Sequence, residues 1–210
     1  MTNKFIRYCF FTVIAFACIS QAPGQKFEVE STIIGIGFGP AMKFGHNSAN
    51  RPAFAAKIFF DKGIYDRYPG TFMVGADVSY FLLRHETPDS TASHGEPSYV
   101  ATWTHYIAAA RLIYYHNGIR WGIDNLHVFG GISLGVRYVA FYQKYYGLPI
   151  YSLAQPRDDG IKLHYTFFAG ASYHLTPEFA AYFEGGYSES WITIGFIYSL
   201  GIKRMTPKFK

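Results

Sequence analysis

The sequence has little cysteine, little charge and no long apolar run. Its 210 residues include two cysteines, Cys9 and Cys18, both near the N-terminus. If that segment is removed on export, the mature chain carries no thiol. A disulfide-stapled scaffold and the commonest zinc ligand sets are then excluded. Charged residues make up 16% of the chain, against about 25% in soluble domains. The net charge of +5 falls to +3 without Lys4 and Arg7. That surplus is too mild to imply a nucleic-acid partner, and no aromatic–basic recognition motif is present. No window reaches about 18 consecutive apolar residues, so no membrane-spanning helix is expected. The eight histidines never fall as His-x-x-x-His or His-x-His. No metal site and no cofactor are therefore expected.

What the chain does have is aromatic residues, at 20%, and 21 glycines. They are arranged with period two. From Leu163, alternate residues read Leu163, Tyr165, Phe167, Ala169, Ala171, Tyr173, Leu175, against His164, Thr166, Phe168, Gly170, Ser172, His174. After Thr176-Pro177 the pattern restarts at Phe179, and again at Ile192, continuing to Ile202. Period two is the signature of β-strand. One face of each strand is apolar and the other small or polar, as a strand needs between lipid and a filled lumen. Unpaired backbone groups in hydrocarbon cost several kcal/mol each, so such a sheet must close on itself.

The rest of the chain supplies the remaining strands. Alternation marks Phe27–Phe38, Pro52–Phe60, Thr71–Arg84, Tyr99–Tyr115 and Leu126–Tyr142. The stretch Ala108–Leu112 is also good helix sequence, but its alternation fits a strand. Asp61–Gly70 reads as a turn, and Asn117-Gly118 is a strong turn signal. With the three C-terminal strands the count is eight, an even number that lets an up-and-down barrel close. The expected fold is all-β: an eight-stranded antiparallel up-and-down transmembrane β-barrel over residues 27–202. Connections alternate in length, with long ones at 39–51, 85–98 and 143–160, as for extracellular loops opposite short periplasmic turns. The connection near Ser188-Glu189-Ser190 breaks this rule, being short where a long loop is expected.

The N-terminus reads as a secretory signal peptide over residues 1–24. Lys4 and Arg7 form its positive region, Phe10–Ile19 its apolar core, and Ser20 and Ala22 the small residues before cleavage. Residues 203–210 form a short tail.

Three further motifs are weighed against the barrel. Ile34-Gly35-Ile36-Gly37-Phe38-Gly39-Pro40 has dinucleotide-fingerprint letters, but proline stands at the sixth position and no helix pattern follows. Gly131-Ile132-Ser133-Leu134-Gly135 has the letters of a nucleophile elbow, yet Ser133 sits inside unbroken alternation. His105, His127, His164 and His174 fall on the inner face, where a structural histidine is expected. The inner face also receives Lys57, Asp77, Arg111, Arg137 and Glu184. Buried charges must pair or stay hydrated, and an eight-stranded lumen is just wide enough to be filled by side chains. An internal ionic network follows, with Glu184 and Asp77 contacting the three basic residues. It would plug the barrel or, if one pair opens, gate a pore.

The C-terminal third also resembles a known family. The runs Phe168-Ala169-Gly170-Ala171-Ser172-Tyr173, Leu175-Thr176-Pro177-Glu178-Phe179, Tyr182-Phe183-Glu184-Gly185-Gly186-Tyr187 and Gly195-Phe196-Ile197-Tyr198-Ser199-Leu200 resemble the small OmpA/OmpX-like outer-membrane β-barrel family. The resemblance covers residues 125–200. It differs in continuing past the last strand as Lys203–Lys210, and no peptidoglycan-binding domain follows. It implies a monomer in the outer membrane of a Gram-negative bacterium, inserted by the barrel-assembly machinery among lipopolysaccharide. The expected role is structural or surface-interacting, an extracellular ligand or adhesion partner being met by the loops. The alternatives are a narrow, porin-like solute channel, an outer-leaflet lipid-modifying enzyme, or a soluble secreted β-sandwich.

Overall fold

A computed structural model describes residues 25–26, 29–42, 51–67, 69–88, 97–117, 125–145, 159–187, 189–201 and 203–204. The expected signal peptide lies outside these residues. The elements are β1 (Gln25–Lys26), β2 (Thr32–Pro40), β3 (Arg51–Arg67), β4 (Gly70–Pro88), β5 (Pro97–Asn117), β6 (Leu126–Tyr145), β7 (Gly160–His174), β8 (Phe179–Tyr187), β9 (Ile192–Leu200) and β10 (Lys203–Arg204). Strands β2 to β9 form one closed barrel, each antiparallel to the next, with β9 returning to pair with β2. A single sheet closed on itself overturns the β-sandwich alternative. Ala108–Leu112 lies within β5, where two flanking strands override its helix propensity.

Two expected boundaries need correction. The first barrel strand begins at Thr32 rather than Phe27. The Asp61–Gly70 stretch is mostly strand: β3 continues to Arg67 and pairs with β4 through Arg67↔Gly70. Its Asp-Lys-Gly letters sit beside a bulge between Gly63 and Tyr65, which absorbs an extra residue without ending the ladder.

The barrel is staggered as well as closed. Partner to partner from Lys162, the row runs Arg137, Ile107, Ser79, Lys57, Gly37, Gly195, Tyr182 and back to β7 at Ser172. It re-enters β7 ten residues nearer the end that holds the β7–β8 turn. Rows of partners therefore spiral, and residues at one height are not register partners.

The expected alternation sets the faces. Large apolar side chains point outward and are exposed, including Val78 at 63% and Ile194 at 61%. Such a surface is stable against hydrocarbon. Two aromatic belts bound it. The upper holds Tyr80, Tyr106 and Tyr138, with ring centroids 5.4 and 6.5 Å apart, and Tyr165 against Tyr187 at 6.0 Å. The lower holds Tyr65, Phe72 and Tyr114, at 6.3 and 4.9 Å. Phe72 and Tyr80 are eight residues apart on β4, as are Tyr106 and Tyr114 on β5. At about 3.3 Å per residue and a tilt of about 40°, that separation is roughly 20 Å of height, close to the apolar band of outer-membrane barrels.

Inside, two apolar clusters fill the lumen. The lower includes Ile33, Phe59, Met73, Tyr115, Phe129 and Ile197. The upper, on the β4–β6 wall, includes Phe81, Trp103, Ile107 and Val139. Beyond the start of β2 and the end of β9, β1 pairs with β10. Glu30, at φ 94°, and Gly201, at φ 74°, make the left-handed turns that connect this small pair to the barrel.

Candidate functional site

The site is the ionic group between the two clusters. Lys57 enters from β3 opposite Gly37, and Glu184 from β8 opposite Gly170. Arg111 on β5 and Asp61 on β3 face each other across Gly75 of β4, in one hydrogen-bonded row. A glycine stands beside each charge because the lumen has no room for a second side chain. A Cβ at Gly75 would collide with Asp61 Oδ1, and one at Gly37 with the Tyr182 hydroxyl.

Glu184 bridges the two cations. Lys57 Nζ donates to its Oε1, and Arg111 Nη2 lies 3.7 Å from its Oε2. Lys57 also lies 3.1 Å from Glu189 Oε1, and Arg111 Nε lies 3.6 Å from Asp61 Oδ1. The Arg111 guanidinium stacks over the rings of Phe59 and Phe168, 4.2 and 4.8 Å from their centroids. All five charged side chains are almost fully buried. Desolvating an ion costs several kcal/mol, and only close pairing of this kind offsets it. Ring stacking adds about 0.5–2 kcal/mol for the guanidinium.

The expected network is thus rearranged. Glu184 meets two of the three basic residues, Lys57 and Arg111. Asp77 is buried on β4 between Phe59 and Ala109, within the field of Arg111, but it enters none of these four pairs. Arg137 sits higher and half-buried on β6, register partner of Lys162 on β7. The spiral of the rows lifts it away from Glu184.

Two participants escape the sequence reading. Asp61 continues the inward series 57, 59, 61, a visible signal hidden by turn-like neighbours. Glu189 lies outside any strand, and no periodicity marks it. Its turn does not reach outward as a loop. It folds onto the end of β2: Met42 N donates to Glu189 O at 2.8 Å, and Ala41 bridges Ser190. Ser190 Oγ accepts from Ile192 N at 3.3 Å and donates to Ile192 O at 2.6 Å, holding the bend.

The remaining candidates are placed in the wall. Ser133 lies mid-strand in β6, its hydroxyl sharing a 2.6 Å hydrogen bond with that of Thr166. There is no strand-to-helix turn at that point. His105 stacks on Phe81 at 4.2 Å, and His127 meets His174 edge-on at 4.9 Å. Among the described residues, no group of three His, Cys, Asp or Glu side chains could hold a metal ion. Ser172 is buried against the lumen filling, so the inner face offers no space for a long side chain there.

Solved structures with a similar outline include Ail, the attachment invasion locus protein of Yersinia pestis. Its crystal structure with the heparin analogue sucrose octasulfate has 14% identity and a TM-score of 0.41, covering 85% of this chain and 100% of that one. The backbone structure of Ail in a phospholipid bilayer nanodisc gives 15%, 0.41, 82% and 100%. No family model matches the chain, and no curated protein matches it. What is established is the fold. At this identity and TM-score the likeness transfers no residue's role, and the OmpA/OmpX-like resemblance stands at the level of the barrel alone.

Proposed function

We propose that the chain is an outer-membrane barrel of a Gram-negative bacterium, closed to solute flow, that acts through its extracellular extension on a surface partner. One observation carries this reading. Above the upper belt the wall continues on one side: β4 runs eight residues past Tyr80 to Pro88, and β5 begins nine residues before Tyr106, at Pro97. Strand beyond what crosses the membrane has another use.

The reading carries with it export by the signal peptide, insertion by the barrel-assembly machinery, a monomeric state and a surround of lipopolysaccharide. It assigns no catalytic step. Fractionation and gel mobility test the location: an outer-membrane protein that runs differently unboiled is expected, and a soluble protein with unchanged mobility overturns it. Replacing residues 87–99 with a two-residue Asn-Gly turn between the partners Glu86 and Val100 tests the role. Cells carrying the trimmed barrel should lose surface attachment while the unboiled mobility shift is retained; unchanged attachment removes the adhesive role.

The ionic group between the two clusters favours a second reading, a narrow channel. Its test is bilayer conductance with Glu184→Ala. A closed barrel before and after the substitution supports the plug, and a rise in conductance supports the gate.

A further inference from the structure

The lipid-facing wall of β8, β9 and β2 is broken by a groove of about 410 Å³, lined by Phe38, Ala181, Tyr182, Ile194, Gly195 and Phe196. Small residues make it. Ala181 stands between Phe179 and Phe183 on the outer face of β8. Its register partner Phe196 turns aside, its ring stacking on Phe179 at 5.2 Å. Gly195 faces inward, and a Cβ there would come within 2.7 Å of the Tyr182 ring. The glycine thus lets the tyrosine back the wall from inside. The lining is almost wholly apolar and continuous with the exposed side chains of Phe38, Ile194 and Phe196. In a wall that meets lipid, such a groove suits a hydrocarbon chain.

The same strands end at a basic ribbon. β1 leads into β2 and β10 follows β9, and their register sets Lys26 opposite Lys203 and Gln25 opposite Arg204. Lys208 and Lys210 follow in the sequence, and no acid occurs after Glu189. The acids nearest the ribbon in sequence are Glu28 and Glu30, so the segment stays basic. Of the charges on neighbouring strands and turns, Lys62 and Arg67 offset Asp66 and Glu178. Lys and Arg clustered beside a membrane surface attract acidic lipid headgroups.

The spacing of the two features matches one lipid leaflet. Phe196 is four residues before Leu200 on β9, roughly 10 Å of height at about 3.3 Å per residue and a tilt of about 40°. The ribbon lies beyond Leu200. Half of a hydrocarbon core about 30 Å thick is roughly 15 Å. A lipid with a chain in the groove therefore carries its headgroup at the ribbon. We propose that the β8–β9–β2 wall is a docking site for one acidic phospholipid of the periplasmic leaflet. Its acyl chain fills the groove beside Ala181, and its phosphate meets the ribbon of Lys26, Lys203 and Arg204. This inference rests on the membrane placement and orientation proposed above. Its failure leaves the surface role standing, because that role is read from attachment and this site from retained lipid.

The experiment uses the whole barrel refolded in detergent micelles, titrated with phosphatidylglycerol or with phosphatidylcholine of the same chains. Native mass spectrometry reads the fraction of barrels that retain one lipid. The unaltered protein should hold phosphatidylglycerol about tenfold or more tightly than phosphatidylcholine. The triple variant Lys26→Gln, Lys203→Gln, Arg204→Gln should hold the two alike. Ala181→Phe fills the groove and should weaken retention of both lipids together. Equal retention of the two lipids by the unaltered protein overturns the proposal, as does a preference that survives the triple variant. Undiminished retention by Ala181→Phe overturns it too, as does lipid A displacing phosphatidylglycerol when both are offered. Unboiled gel mobility checks that each variant is folded, and if Ala181→Phe does not fold, the triple variant decides alone.

Discussion

The two sides of the barrel wall differ in height. Strands β8, β9 and β2 have nine residues each, while β3 to β6 have 17 to 21. Nine residues, tilted, are about what an apolar band of roughly 25 Å requires. The low side therefore has little beyond what the membrane demands. It also contributes Glu184, and its turn contributes Glu189, so it holds the acids that neutralise Lys57. The high side carries surplus strand above the belt of Tyr80, Tyr106 and Tyr138. On the function proposed above, the two sides have separate tasks: the low side seals and fastens the barrel, and the high side presents a surface.

Substitutions can break that comparison, and the largest effect is expected at its fastening point. Lys57→Met leaves Glu184 and Glu189 in the lumen without the lysine they share. Loss of one partner from a buried pair costs about 3–5 kcal/mol, read as a lowered urea midpoint for the refolded barrel. A midpoint within error of the unaltered protein would mean that Lys57 is not the fastening point. Next comes the lipid face of the low side. Ile194→Arg should cost about 2–4 kcal/mol in the bilayer, as arginine does near the midplane. Equal stability of this variant and Thr102→Arg would refute the membrane placement.

Gly75→Val tests the packing between the sides. A valine there collides with Asp61 and separates it from Arg111, and overpacking of this kind costs about 1–3 kcal/mol. Asp61→Asn in the same background should recover little, because the clash is steric. Full recovery would make the effect electrostatic instead. The smallest effect belongs to the high side. Thr102→Arg, on β5 above Tyr106, should cost about 0–1 kcal/mol, since charges are tolerated near the interface. A large loss there would show that the extension helps to hold the barrel together.

Much of this is legible in the sequence. Period two assigns the residues of each expected strand to one of two faces, and those faces agree with the structure at the described side chains. Local letters misled where they competed with pairing. Asp61-Lys62-Gly63 has turn chemistry, but a β4 partner on one side and β2 on the other make strand the better outcome. Asp61 was lost from the charge group for that reason. Glu189 could not be found by alternation at all, because it acts from a turn folded inward on the end of β2.

The sequence alone determined which side chains face lipid and which face the lumen, because a strand's alternation is local and independent of its neighbours. Which inner charges meet was decided only by closure. The barrel returns on itself with a ten-residue stagger, so Lys57, although it shares a row of partners with Arg137, meets Glu184 and Glu189. Strand order, stagger and the inward fold of one turn are properties of the closed ring, and no single segment carries them.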